Sequence, residues 1–269
     1  CFKKQIFRDI LMQHADEQLK ALLDNRVKLY NQIDFIAADP IAIPHRFSKK
    51  QDIEIAGLFA AVLAWGNRKS IINSCNKLLD WMDNDPHTFI LHHTDKDLKK
   101  MLQFAHRTFN TTDLLYFIER LHEHYQHKES LESLFISPNM EQEADVCNAL
   151  IHFHNAFFSI EHPVRTKKHI ASPAKKSACK RINMYLRWMV RKDAAGVDFG
   201  IWKTIKMKQL ICPLDVHVAS VANRFGLLDT KKTDWQAATL LTAKLRQFCS
   251  ADPVKYDYAL FGLGIEERF

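Results

Sequence analysis

Glycine and proline are scarce in this 269-residue chain, seven and eight in all, and no β-branched run alternates with period two. Those shortages argue against a sheet-rich or low-complexity protein and predict an all-α fold. The six cysteines, at positions 1, 75, 147, 179, 212 and 249, form no CxxC pair and no four-cysteine loop of the kind that holds an iron–sulfur cluster. The expectation is reduced thiols in a cytoplasmic protein that carries no cofactor. The longest apolar run, Ile55 to Trp65, is too short to span a bilayer, and no stretch reads as a signal peptide. One further absence is local. From Arg165 to Lys192 there are ten lysines and arginines and no acidic residue, against a formal charge of +7 for the whole chain. Such a segment attracts phosphate, although a solvated cationic surface is the ordinary fate of a charge run.

The helices follow from spacing. Ile10 to Asn31 reads as a helix with Leu11, Leu19, Leu22, Leu23 and Leu29 inward, followed by a proline-punctuated loop through Lys50. Asp52 is placed to cap an apolar helix rich in alanine that ends at Trp65-Gly66-Asn67-Arg68. Ser70 to Trp81 forms another, broken by the following DNDP, and Lys96 to Phe158 holds three more with a turn at Ser137-Pro138-Asn139. Histidines 92, 93, 122, 124, 127, 152 and 154 cluster there, but 122, 124 and 127 share no helical face and no HExxH occurs, so no metal site is expected. Asp234 or Trp235 opens a helix to Phe248, and Asp252-Pro253 opens the last.

The informative stretch is Ser172 to Val221. From Ala178 to Arg191, Ile182, Tyr185, Leu186 and Met189 make one apolar stripe, with Lys180, Arg187 and Arg191 opposite it. That division predicts one face for burial and one for anions. Thirty-five positions after Lys180, Asp215 follows an extended Pro213 approach and precedes Val218, Val221, Ala222 and Phe225 at helical spacing. Asp215 therefore reads as an N-cap, and spacing alone asks nothing more of it.

The segment PLDVHVASVANRFGLL, from Pro213, resembles the signature of the helix-hairpin-helix DNA glycosylase superfamily, in which an aspartate opens a helix inside a (V/L)D(V/T)H motif. SACKRINMYLRWMV, from Ser177, is similar to the hairpin-to-helix junction that carries a nucleophilic lysine in members with lyase activity. Together with LRWMVRKD, DFGIWK and DPVKYDYALFGLGI, these segments resemble a bacterial family defined by a domain of unknown function, distantly similar to the 8-oxoguanine DNA glycosylases. The likeness to that family runs from Ala38 onward; the likeness to understood glycosylases covers the central quarter and the last helix. This chain departs from the glycine-rich LPGVGxKTA hairpin, reading SPAKKSACKR instead, and its interval from lysine to aspartate is longer.

The resemblance implies a two-lobed helical protein with a cleft, residues 50–160 in one lobe and 1–49 plus 161–269 in the other. It implies excision of a damaged base, an oxidised purine in the most similar branch, by nucleotide flipping with associated lyase activity. Lys180 would be the nucleophile, its ammonium disfavoured by Arg181, Lys176 and partial burial, and Asp215 the catalytic carboxylate. DNA would be held by Asn67, Arg68, Lys175, Lys176, Ser177, Arg181, Arg187 and Arg191, with Asn67 filling the hole left by the extruded nucleotide. The other reading of Gly66-Asn67 is a plain helix-terminating turn. Phe261 would stack on the base and Asp257 hydrogen-bond to it, where burial statistics alone would place Phe261 in the core. The implied partner is double-stranded DNA carrying a lesion, bound by a monomer without a metal and away from membranes. A binding module of the same fold without catalysis, and a helical protein whose basic face meets another acidic partner, remain as rivals.

Overall fold

The computed structural model describes residues 2–37, 39–265 and 267, with side chains from residue 16 onward. The described residues are mostly helical: α1 (Phe2–Tyr30), α2 (Ile33–Ile36), α3 (Lys50–Leu63), α4 (Arg68–Trp81), α5 (Pro86–His92), α6 (Asp95–Lys100), α7 (Thr111–Tyr125), α8 (Cys147–Phe157), α9 (Lys180–Val190), α10 (Val216–Arg224), α11 (Trp235–Phe248) and α12 (Tyr256–Ile265). The strands among them are two-residue pieces, Ala105–His106 antiparallel to Phe109–Asn110, which turn the chain into α7. Short 3₁₀ turns fill most other connections. None of the described helices is long and apolar enough to cross a membrane.

The starts of these helices obey local chemistry. Asn67, Asp85, Asn110, Asp215 and Asp234 cap α4, α5, α7, α10 and α11 by accepting backbone N–H groups that have no partner inside the helix. Asp52 does not cap α3 as expected. The helix starts two residues earlier, at Lys50, and the Asp52 carboxylate instead accepts the His87 N–H at 2.8 Å, tying α3 to α5. In α1 the inward stripe is Leu19, Leu23 and Val27, at four-residue steps, so Leu29 lies 55% exposed rather than buried. The side chain of Leu11 lies outside the described residues.

The apolar side chains join in one contiguous core running from Leu23 to Leu263. Its centre is α3 against α9. Gly57 permits that approach, because a Cβ there would stand 3.1 Å from Met189 Cε and 3.2 Å from the Tyr185 ring. At the other end α12 packs on α1 and α10, with Gly262 lying under the Tyr30 ring. A buried carboxylate crosses the core. Glu54 of α3 accepts hydrogen bonds from Tyr125 Oη (2.9 Å), Ser130 Oγ (2.5 Å), the Leu131 N–H (3.0 Å) and Trp202 Nε1 (2.6 Å). Four donors satisfy a charge that would otherwise be too costly to bury.

The expectation that α9 turns a basic face to anions is overturned. Arg187 and Arg191 are 4% and 1% exposed. Arg187 pairs with Asp198 and Asp257, and Arg191 with Asp193 (2.6 Å), Asp198 (2.9 Å) and Asp252 (3.0 Å). The acids that neutralise α9 come from the loop after it, from Asp252 just before α12 and from Asp257 in the first turn of α12, outside the acid-free window. The face opposite the apolar stripe is therefore buried too, as a satisfied ion network, and neither arginine is placed to hold DNA.

Candidate functional site

Two helix starts meet at one point. Lys180 is the first residue of α9 and Asp215 the cap of α10, and Lys180 Nζ lies 3.0 Å from Asp215 Oδ2. The two aspartate oxygens divide the work: Oδ1 accepts the His217 and Val218 N–H groups, both at 2.9 Å, while Oδ2 meets the lysine. Burial acts to raise the Asp215 carboxyl, but the Lys180 ammonium and the Val218 N–H outweigh it and hold it below the ordinary carboxylate range. Asp215 is thus the cap that spacing predicts, and the same carboxylate also partners the lysine.

The pair borders a cavity of about 730 Å³. Its wall includes Arg68, Lys168 and Arg181 beside Lys180, against the carboxylates of Asp39 and Asp215, so among the described residues cations outnumber acids. Phe261 forms part of the wall, with the Arg68 guanidinium 5.2 Å from its ring centroid. Behind Lys180, Asp39, Met184 and Phe261, which border both spaces, lies a recess of about 20 Å³ closed by Arg187, Asp257, Pro213 and Val218. The Asp257 carboxyl is pushed up to about 6 by burial, against the opposing pull of its Arg187 partner.

The anticipated site residues divide into groups. Lys180, Asp215, Ser177, Arg68, Arg181 and Phe261 all border the cavity, and Asp257 borders the recess. Phe261 is half-buried at the cavity wall rather than sealed in the core. Arg181 faces two ways, since its guanidinium donates to the Val62 and His169 carbonyls, the first of which lies in the last turn of α3 and has no partner inside that helix. Lys175 and Lys176 are exposed on the turn before α9. Asn67 is exposed as well, but its side chain accepts the Ser70 N–H at 3.3 Å as the cap of α4, and it borders a separate shallow depression with Lys69, Asn73 and Lys77.

The glycine-poor hairpin solves its turns with side-chain-bearing residues. Lys176 (φ 59°) and Cys179 (φ 51°) both adopt the left-handed conformation that glycine enters without penalty. The Trp235 N–H donates to the Lys176 carbonyl at 3.1 Å and the Ser177 hydroxyl accepts the Cys179 N–H at 3.2 Å, bonds that hold the turn in place.

Sequence reasoning missed Asp39, Lys168 and His169. Asp39 precedes Pro40 and accepts the Ile41 N–H at 3.0 Å, a signal present in the Asp-Pro dipeptide but indistinguishable there from an ordinary turn. His169 stands 3.1 Å from Asp113, and burial brings its imidazole down to about 4, with Asp113 opposing the shift, so it is neutral at pH 7. Asp113 is itself fully buried among Arg165, Thr166 and the Asn110 N–H.

No curated protein and no solved structure matches the chain. A family model described as a protein of unknown function, DUF2400, matches residues 39–266, and the chain belongs to that family.

Proposed function

We propose that the cavity is the site of a DNA glycosylase with associated lyase activity. The observation that carries the reading is the Lys180–Asp215 pair at 3.0 Å on the edge of a large cationic cavity. A nucleotide turned out of the duplex would enter this space, its phosphates met by Lys168, Lys175 and Lys176 and its base directed toward Phe261 and the recess. Lys180, an ammonium against Asp215 in the resting site, first gives a proton to solvent. Its neutral amine then attacks the anomeric carbon while the base departs with the bonding electron pair, and the new C–N nitrogen sheds its extra proton to solvent. Asp215 stands beside the positive charge that grows on the sugar. Opening of the sugar ring gives a Schiff base, from which β-elimination nicks the strand.

The recess has about 20 Å³ of free space, room for roughly one water. A base, far larger than that, enters it only when residues lining the recess, Phe261 among them, move apart, so recognition in this reading includes local opening. The reading also takes the fold as glycosylase-like, with the cavity between a lobe of residues 50–160 and a lobe of 1–49 plus 161–269.

The test is covalent capture. With borohydride present, the protein is incubated with duplexes carrying 8-oxoguanine, uracil, an alkylated purine or an abasic site. The proposal expects a protein–DNA adduct on at least one damaged base as well as on the abasic duplex.

A second reading keeps DNA binding without catalysis. It is favoured by the hairpin, where Lys176 and Cys179 occupy left-handed positions and leave less room for a phosphate against the backbone than glycines would. It expects salt-dependent binding to duplex DNA and no adduct or product on any substrate.

A further inference from the structure

We propose that Asp39 is the acid that protonates the departing base, an inference that rests on the glycosylase reading of the same cavity. Among the described residues three carboxylates border the two adjoining spaces, and two are already engaged by cations. Asp215 holds two backbone N–H groups and Lys180, and Asp257 is bonded to Arg187. Asp39 is different. It is 7% exposed, it borders both the cavity and the recess, and its carboxylate accepts a single backbone N–H, from Ile41 at 3.0 Å. Among the described residues no cation forms an ion pair with it. A carboxylate has about four acceptor positions, so Asp39 retains hydrogen-bonding capacity at a place that borders both spaces. Burial raises this carboxyl above the ordinary range despite the Ile41 N–H and the charges of Arg187, Arg68 and Lys180, which favours the protonated form an acid catalyst needs.

The step balances. The bond between sugar and base breaks with its electron pair going to the base nitrogen, and Asp39 supplies the proton that neutralises it. The neutral Lys180 amine forms the new bond to the anomeric carbon, the proton shed from that nitrogen passes to solvent, and the Asp39 carboxylate is reprotonated from solvent. Net, one base leaves with a hydrogen and one lysine nitrogen is bonded to the sugar. The substrate class implied is a base that leaves poorly as an anion and presents a ring nitrogen or oxygen toward the recess.

The test uses the full chain with Asp39→Asn and Asp39→Ser. Both replacements retain a good cap for the 3₁₀ turn, so the loop geometry is preserved while the acid is removed. Base release from the lesion duplex that the wild type processes best is compared with borohydride trapping on a duplex that already lacks the base. The proposal expects base release to fall about 100-fold or more, with abasic trapping left at the wild-type rate because no base remains to be protonated. Base release at the wild-type rate in either variant overturns it. So does a parallel loss of both activities, since Asp39 would then shape the site rather than supply a proton. A wild-type protein that traps only the abasic duplex has no departing base, and also overturns it. A wild type that traps no duplex contradicts the glycosylase reading first, before any variant is compared.

Discussion

Asp215 shows how one side chain can serve structure and chemistry together, because its two oxygens face different groups. His169 shows the opposite case, a titratable group on the cavity wall that burial silences. Its imidazole protonates near 4 in the folded chain and near its ordinary 6.5 when unfolded. Between those values acid favours the unfolded state, so this residue contributes stability that is present above pH 6.5 and lost as pH falls toward 4. Asp257 acts in the reverse direction. Its carboxyl, raised to about 6, binds a proton more readily folded than unfolded and opposes the His169 slope in the same range. Denaturant titrations across pH 4 to 7 should therefore show His169→Asn losing less stability on acidification than the wild type, and Asp257→Asn losing more. Equal slopes in all three proteins would contradict these assignments.

At the scale of elements, α9 is the centre, and its polar face is buried and engaged as fully as its apolar one. Removing Arg191 would strand Asp193, Asp198 and Asp252 without their common partner. Breaking a buried ion network by deleting one member costs about 3–5 kcal/mol. Arg191→Ala should lower the denaturation midpoint accordingly, whereas a change below ~0.5 kcal/mol, the range of ordinary surface substitutions, would mean that solvent already reaches the network. Most helix positions were legible in the sequence, since caps such as Asp215 and Asp234 are local signals; Asn67, read as a wedge or the end of a turn, proves instead to cap α4, which starts at Arg68 rather than Ser70. The fate of Arg187 and Arg191 was not legible. Apart from Asp193, two residues after Arg191, their partners lie in DFGIWK and DPVKYDY, as far as 70 residues away, so a window of neighbouring charges could not reveal the network. Those segments, which resemblance associates with the family, also serve packing here: Asp198 closes the ion network and Trp202 bonds Glu54. Gly200 between them takes φ +56°, and a Cβ there would lie 2.4 Å from Lys192 Cβ.

At the scale of the whole molecule, the surviving cationic surface is narrower than the run of ten basic residues implies. Lys168, Lys175 and Lys176 remain exposed, and Lys180 reaches the cavity at 31% exposure, while the two arginines turn inward. If this surface grips a nucleic-acid backbone, Lys175→Ala and Lys176→Ala should each weaken binding to all duplexes alike. Each should also reduce the slope of log affinity against log salt by about 1, while stability stays within about 0.5 kcal/mol. Unchanged salt dependence in both would assign the exposed lysines to some other partner. The pairing of Lys180 with Asp215 was legible in their order along the chain and the likeness of their motifs. The cavity that surrounds them was not, because Asp39, Arg68, Lys168, Lys180, Asp215 and Phe261 come from separate stretches and only tertiary packing brings them to one space.

The central claim is that Lys180 is a nucleophile. The most direct measurement is borohydride trapping on an abasic duplex with the wild type and Lys180→Gln, followed by peptide mapping of the adduct by mass spectrometry. The account predicts an adduct on Lys180 that disappears in the variant while its stability and duplex binding are retained. An adduct that survives Lys180→Gln, or maps to another lysine, would contradict it.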